Sequence, residues 1–197
     1  MINVSAERVV AVALRPEEAH ATFRAVLDAL SRPGWITRLP TAPLGVVPAP
    51  IVPVLALADL GTGVCVLDED GGWTDAVGLA TNAPAVALGE ARLVAATRPV
   101  RAEELLAVHR GSAGAPEDGA LVCLPVRDVD GGPTVWRLSG PGVDGERRIA
   151  PVGLPEGIFD ARAEAVSGFP AGVDLLLVTP DGRILGVPRS TTVVKEG

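Results

Sequence analysis

Hydrophobic positions fall into short runs that Gly and Pro interrupt at close intervals, and their spacing alternates between helical and extended. Residues 16–30 carry Ala19, Phe23, Val26, Leu27 and Leu30 on one helical stripe. Pro16 suits the first helical position, Glu17 and Glu18 suit the positive end of the dipole, and Ser31-Arg32-Pro33-Gly34 ends the element. From Leu39 to Leu67 the one charged residue is Asp59. Pro48, Pro50 and Pro53 break the first half of that stretch and Gly61 and Gly63 stop the second. About ten helical residues remain near 51–60, against the ~20 that span a bilayer, so the pattern predicts a buried core helix.

A strand at 63–67 leads into the acidic turn Asp68-Glu69-Asp70-Gly71-Gly72. A helix near 74–81, a strand near 92–96 and a helix near 102–110 continue the alternation, with Pro99 and Gly111 at helix boundaries. Strands at 119–126 and 134–139 read as a hairpin across Asp130-Gly131-Gly132. A helix near 155–165 precedes 173–179, whose apolar run marks a central strand, and Asp181-Gly182 turns it into a strand at 183–187. This order predicts one α/β domain over residues 1–197, a mixed central sheet flanked by helices.

The composition fits that picture and narrows it. Hydrophobic residues make up 48% of the 197 positions and charged ones 21%, which excludes a disordered chain and calls for heavy burial or a subunit interface. Aromatics are 3%, so the core is built from small aliphatic side chains. The net charge of −7, without clustered cations beside stacking aromatics, argues against nucleic-acid binding. The apolar run at 9–14 is too short for a signal segment, so a cytoplasmic, membrane-free protein is expected. Cys65 and Cys123, each inside an apolar run, read as buried reduced thiols.

Most chemical motifs fail. There is no phosphate loop ending in Gly-Lys, no GxGxxG and no GxSxG. His20 and His109 lack Cys or His partners at metal-ligand spacing, and no metal site is expected. His109 with Ser112 reads as a helix-end pair rather than a base and nucleophile, and His20 as a surface residue between Glu17 and Arg24. Of 17 cationic residues, 16 are Arg and the remaining one is Lys195, third from the end. Schiff-base chemistry needs a buried lysine, and Arg stays protonated, so pyridoxal catalysis is excluded. Two groupings remain as oxyanion candidates. Arg137-Leu138-Ser139-Gly140-Pro141-Gly142 places an Arg and a Ser before glycines that expose backbone N–H groups, and Arg189-Ser190-Thr191-Thr192 sets a planar cation beside three hydroxyls. Arg147-Arg148 adds local positive charge. The competing reading is turn residues with solvated arginines.

Several segments in order resemble one family: FRAVLDALSRPGW (23–35), ATNAPAV (80–86), GAPEDGALVCLPV (114–126), WRLSGPGV (136–143), RRIAPVGLP (147–155) and FPAGVDLLLVTPDGRILGVPRSTTV (169–193). Together they are similar to the H subunit family, PhnH, of the bacterial carbon–phosphorus lyase system. The resemblance implies a fold like the large domain of pyridoxal-phosphate-dependent transferases, without that cofactor. It also implies a homodimer in isolation, and a core complex with the G, I and J subunits, working with L, that places a phosphonate on the ribose C1 of ATP and releases adenine. Radical C–P cleavage belongs to the iron–sulfur J subunit, and two isolated cysteines do not hold such a cluster.

Matching positions are Phe23, Arg24, Ser31, Pro33, Gly34, Asn82, Pro84, Arg137, Gly140, Gly142, Arg147, Asp174, Arg189, Thr191 and Thr192, with Ser139 where Thr is also usual. No catalytic residue carries over. The candidates for contact with phosphate, phosphonate or a partner are Arg24, Ser31, Asn82, Arg137, Ser139, Gly140, Gly142, Arg147, Arg189, Thr191 and Thr192. A second functional reading is an autonomous nucleotide- or phosphonate-binding transferase. In it Arg137 and Arg189 bind phosphate oxygens while a loop carboxylate or His109 moves a proton.

Overall fold

The structure, a computed structural model, describes residues 12–69 and 71–196. The first half of the apolar run at 9–14 and Asp70 of the acidic turn lie outside them. A six-stranded sheet has the order β1 (Ile36–Arg38), β8 (Arg183–Val187), β7 (Asp174–Val178), β4 (Leu121–Pro125), β3 (Leu93–Ala96) and β2 (Val64–Leu67). Strands β2, β3, β4 and β7 run parallel, with Cys65 opposite Val94, Ala95 opposite Cys123 and Cys123 opposite Leu176. Strand β8 returns antiparallel beside β7, and β1 pairs antiparallel on its far side.

Because strand side chains alternate, the sheet separates two apolar cores. Val94, Val122, Leu175 and Leu177 face one core, while Ala95, Cys123, Leu176 and Val178 face the other. Helices α1 (Pro16–Ser31) and α2 (Ile51–Leu57) cover the second face, together with Val77 of α3 (Gly72–Thr81). Helices α4 (Ala102–Leu106) and α5 (Ile158–Ala165) cover the first. Beside these two helices sits a second sheet of order β6 (Arg147–Ile149), β5 (Trp136–Ser139) and β9 (Thr192–Lys195). Its Leu138 and Ile149 are buried in the same core, and Trp136 meets Phe159 of α5 edge-on at 4.8 Å between ring centroids. Burial on both faces explains why β3 and β7 read as unbroken apolar runs, and β7 is central as expected.

Three expectations need correction. The strands at 119–126 and 134–139 do not form a hairpin. Both edges of β4 are taken by β3 and β7, so β5 pairs instead with β6 and β9 in the other sheet. The intervening loop folds back on residues 150–152, where Arg127 N donates to Val152 O (2.8 Å) and Gly132 N to Ala150 O (2.7 Å). Helix α2 stops at Leu57, short of residue 60, because the Asp59 carboxylate accepts from Gly61 N and Thr62 Oγ1 and makes a local turn there. Helix α4 stops at Leu106, short of residue 110. The carbonyls of His109 and Arg110 are drawn instead to Ala120 N (2.8 Å) and Gly172 N (2.7 Å). The short strands β1, β6 and β9 carried no legible sequence signal.

Among the described residues no helix is long and apolar enough to cross a membrane. Cys65 and Cys123 are free thiols on strands that flank β3. Two strand spacings, roughly 9.6 Å, exceed the reach of a disulfide. Burial pushes the Cys123 thiol up to about 12 and raises that of Cys65.

Helix α1 lies directly on β8 at Gly186, where a Cβ would stand 2.3 Å from Ala29 O. Gly186→Ala is therefore expected to push α1 off the sheet and cost about 2 kcal/mol, read as a lower urea midpoint. A second prediction concerns the start of α4, where Glu104 accepts from Arg101 N (2.9 Å) and from both terminal nitrogens of Arg98 (3.0 and 2.7 Å). The Arg98 guanidinium holds the Glu104 carboxyl down at about 2, from an ordinary 4.5. A lowered folded-state value gives stability that is present above pH 4.5 and lost as pH falls toward 2. Glu104→Gln should thus destabilise the protein at pH 7, with the deficit closing across that window in pH-dependent denaturation.

Candidate functional site

The turn between β8 and β9 carries the chain from the large sheet to the small one, and arginines from two elements hold it. Arg189 faces Asp174 at the start of β7. Its Nε lies 3.2 and 3.1 Å from the two carboxylate oxygens and its Nη2 donates to Oδ2 at 2.6 Å. The Arg189 backbone N donates to Oδ1 at 2.7 Å. The same guanidinium reaches back to Pro116 O (2.5 Å) and Gly119 O (3.3 Å). Arg189 therefore ties the turn to β7 and to the loop before β4, with its donors committed to the protein.

Arg162 of α5 approaches the turn from below. It is 2% exposed, and its Nη2 donates to Pro188 O (2.6 Å) and Thr191 O (2.8 Å). Its Nε is buried with no hydrogen-bond partner, as is Thr191 Oγ1 in a residue that is also 2% exposed. Among the described residues no carboxylate forms an ion pair with Arg162. Burial lowers its guanidinium to about 10 against the opposing pull of Asp174, so it remains charged at neutral pH. Above the turn an open cleft of about 510 Å³ is lined by Arg162, Ser190, Thr191 and Thr192, with Pro141 and the exposed Phe169 among its apolar walls.

The candidates from sequence divide into three places. Ser139, Gly140, Thr191 and Thr192 come together with Arg189: Ser139 pairs with Thr192 across β5 and β9, and a Cβ on Gly140 would stand 2.9 Å from Ser190 O. Ser31, Gly142 and Arg147 gather around the end of α1, with Arg24 further back along that helix and Arg137 beside Arg147 on the small sheet. Gly142 has φ +78° and would place a Cβ 2.3 Å from Ser31 O, so the β5–β6 loop lies against the helix end. Arg147 donates to Gly34 O (3.0 Å) and stacks on Trp35 at 3.9 Å. Arg137 faces Glu146 at 3.4 Å, and Arg24 lines an open groove on the outer side of α1. Asn82 stands apart from both groups at the C-terminal end of α3, in the left-handed conformation (φ 58°) that Asn tolerates as a helix stop.

The histidines behave as local residues. His109 Nδ1 lies 2.8 Å from Asp118 O, and Ser112 Oγ accepts from Ala115 N (3.1 Å) rather than facing the imidazole. His20 is exposed, and among the described residues no ion pair joins it to Glu17, nor does it pair with Arg24. Lys195 is exposed on β9. Sequence reasoning passed over Arg162, though a signal was there. It stands four residues after Ile158 and three before Ala165, a charge inside the buried stripe of its own helix.

Comparison with known proteins gives this architecture a family. Residues 11–194 match the family described as bacterial phosphonate metabolism protein (PhnH), and the chain belongs to it. Among its relatives is the alpha-D-ribose 1-methylphosphonate 5-triphosphate synthase subunit PhnH of Rhizobium meliloti (strain 1021), 29% identical over 91% of this chain and 92% of that one. Another is the putative C-P lyase subunit protein HtxG of Stutzerimonas stutzeri, 37% identical over 44% of each chain.

Replacing Asp174 by Asn leaves Arg189 without its counter-charge while Arg162 stays buried beneath it. A loss of about 3 kcal/mol in denaturant unfolding is expected, with faster proteolysis at the 188–191 turn. Unchanged stability would show that the ion pair does not hold the turn.

Proposed function

We propose that this chain is a subunit of a carbon–phosphorus lyase assembly in phosphonate catabolism, supporting transfer of a phosphonate onto the ribose C1 of ATP. In that reaction a phosphonate oxygen bonds to C1, the bond from C1 to the adenine nitrogen breaks, and adenine leaves with a proton. The observation that carries the reading is the end-to-end similarity to a synthase subunit, 91% of this chain against 92% of the relative. In this reading residues 1–197 form one domain, like the large domain of pyridoxal-phosphate-dependent transferases but working without the cofactor. The chain is a cytoplasmic homodimer when isolated and assembles with the G, I and J subunits, acting functionally with L.

The side chains favour a supporting role over an autonomous transferase. Arg189 is paired with Asp174, Arg137 faces Glu146, and His109 serves its own loop. The apolar groups left on the surface, Phe23, Leu27, Trp35 and Ile36 around α1 and β1, suit contact with protein.

Co-expression with the other subunits should yield an assembly that retains this chain through size-exclusion chromatography. Cells lacking the chain should lose growth on methylphosphonate as sole phosphorus source. An assembly that forms and supports full growth without it overturns the proposal. The isolated chain should elute at twice its 20.1 kDa mass by light scattering.

A further inference from the structure

The cleft over the β8–β9 turn carries an imbalance that the fold itself does not resolve. Two arginines, Arg162 and Arg189, share the neighbourhood of one carboxylate, Asp174, whose short contacts all go to Arg189. One positive charge, at 2% exposure, is left without a counter-ion among the described residues. Two buried polar atoms of cleft-lining residues, Arg162 Nε and Thr191 Oγ1, have no partner. Buried charges and hydroxyls are normally satisfied, because an unpaired one has given up its hydrogen bonds to water and received none in return. A site built to receive a ligand is one reason to hold such atoms unpaired.

The chemistry required of that ligand follows from the lining. The guanidinium and the hydroxyls of Ser190, Thr191 and Thr192 suit a compact oxyanion with several acceptor oxygens. Apart from Arg189, which is paired with Asp174, the remaining walls are apolar, Pro141, Ala163, Val166, Phe169 and Val193, and the volume of about 510 Å³ exceeds what a bare inorganic anion fills. We propose that this cleft binds the oxyanion head of an organic phosphonate or phosphate ester on Arg162 and the Ser190–Thr192 hydroxyls, with the organic substituent against Phe169. The choice of phosphorus rests on the phosphonate reading above, whereas the anion site rests on the unpartnered atoms and their lining.

The test is calorimetric titration of the full chain, alone and in its co-expressed assembly, with inorganic phosphate, methylphosphonate and phenylphosphonate. Saturable binding is expected, tightest for phenylphosphonate. Thr191→Val removes a buried hydroxyl that makes no hydrogen bond in the fold, so it should leave the unfolding midpoint unchanged or raise it, and weaken all three ligands about tenfold. Arg162→Lys keeps the charge but loses the planar fork and should weaken them as well. Phe169→Ala, at an exposed position, should weaken phenylphosphonate and leave inorganic phosphate unaffected. Absence of saturable binding at 10 mM (about 3 kcal/mol of affinity) in both preparations, or affinities unmoved by Thr191→Val and Arg162→Lys, overturns the site. Equal affinities for the three probes overturn the placement of an organic group on Phe169. Failure of the subunits to co-purify bears on the assembly reading alone, since the isolated chain is titrated either way.

Discussion

The ion pair between Arg189 and Asp174 is the interaction through which the separate parts of the molecule meet. Asp174 opens the central strand β7, Arg189 sits in the turn that leaves β8, and the remaining guanidinium donors reach the carbonyls of Pro116 and Gly119 ahead of β4. One planar cation thus joins two neighbouring strands of the large sheet to the turn that starts the small one. A lysine ammonium has no fork to take a carboxylate side-on while reaching two further carbonyls. The near-absence of lysine, whatever its origin, is matched here by geometry that needs guanidinium. The same holds for Arg183, which takes Asp128 through its two terminal nitrogens and Asp181 through Nε, and for Arg147 stacked on Trp35.

Apart from its edge strand β1, the large sheet was legible because its inner strands are buried runs of apolar residues bounded by turns. Leu175, Leu176, Leu177 and Val178 leave little choice, and Asp181-Gly182 makes a turn that is local in sequence. Of the small sheet only β5 was legible. Arg147–Ile149 and Thr192–Lys195 are short, and they become strands because β5 offers an edge to each: Leu138 meets Arg147 across one loop, whereas Ser139 meets Thr192 from a segment far along the chain. The false hairpin has the same origin. A Gly-Gly turn between two strands is a strong local signal, yet β4 had already been claimed on both edges by β3 and β7.

At the candidate site the legible part was the glycine and hydroxyl content of the turns around 139–142 and 189–192. Sequence placed the cation at Arg189, which the structure occupies with Asp174. The guanidinium with spare donors is Arg162, from a helix whose composition reads as ordinary core packing. Which arginine has donors to spare depends on where one carboxylate falls in three dimensions, and spacing along the chain does not encode that.

The close seating of α1 on Gly186 also has a mechanical side. Gly186 lies on β8, and Pro188, whose carbonyl anchors Arg162, directly follows the last residue of that strand, a distance of about 7 Å. Strands are stiff along their length, so the outer helix and the floor of the cleft share a single short strut. The seat of α1 and the turn that holds Thr191 are thus separated along the chain by Val187 alone, with no loop between them.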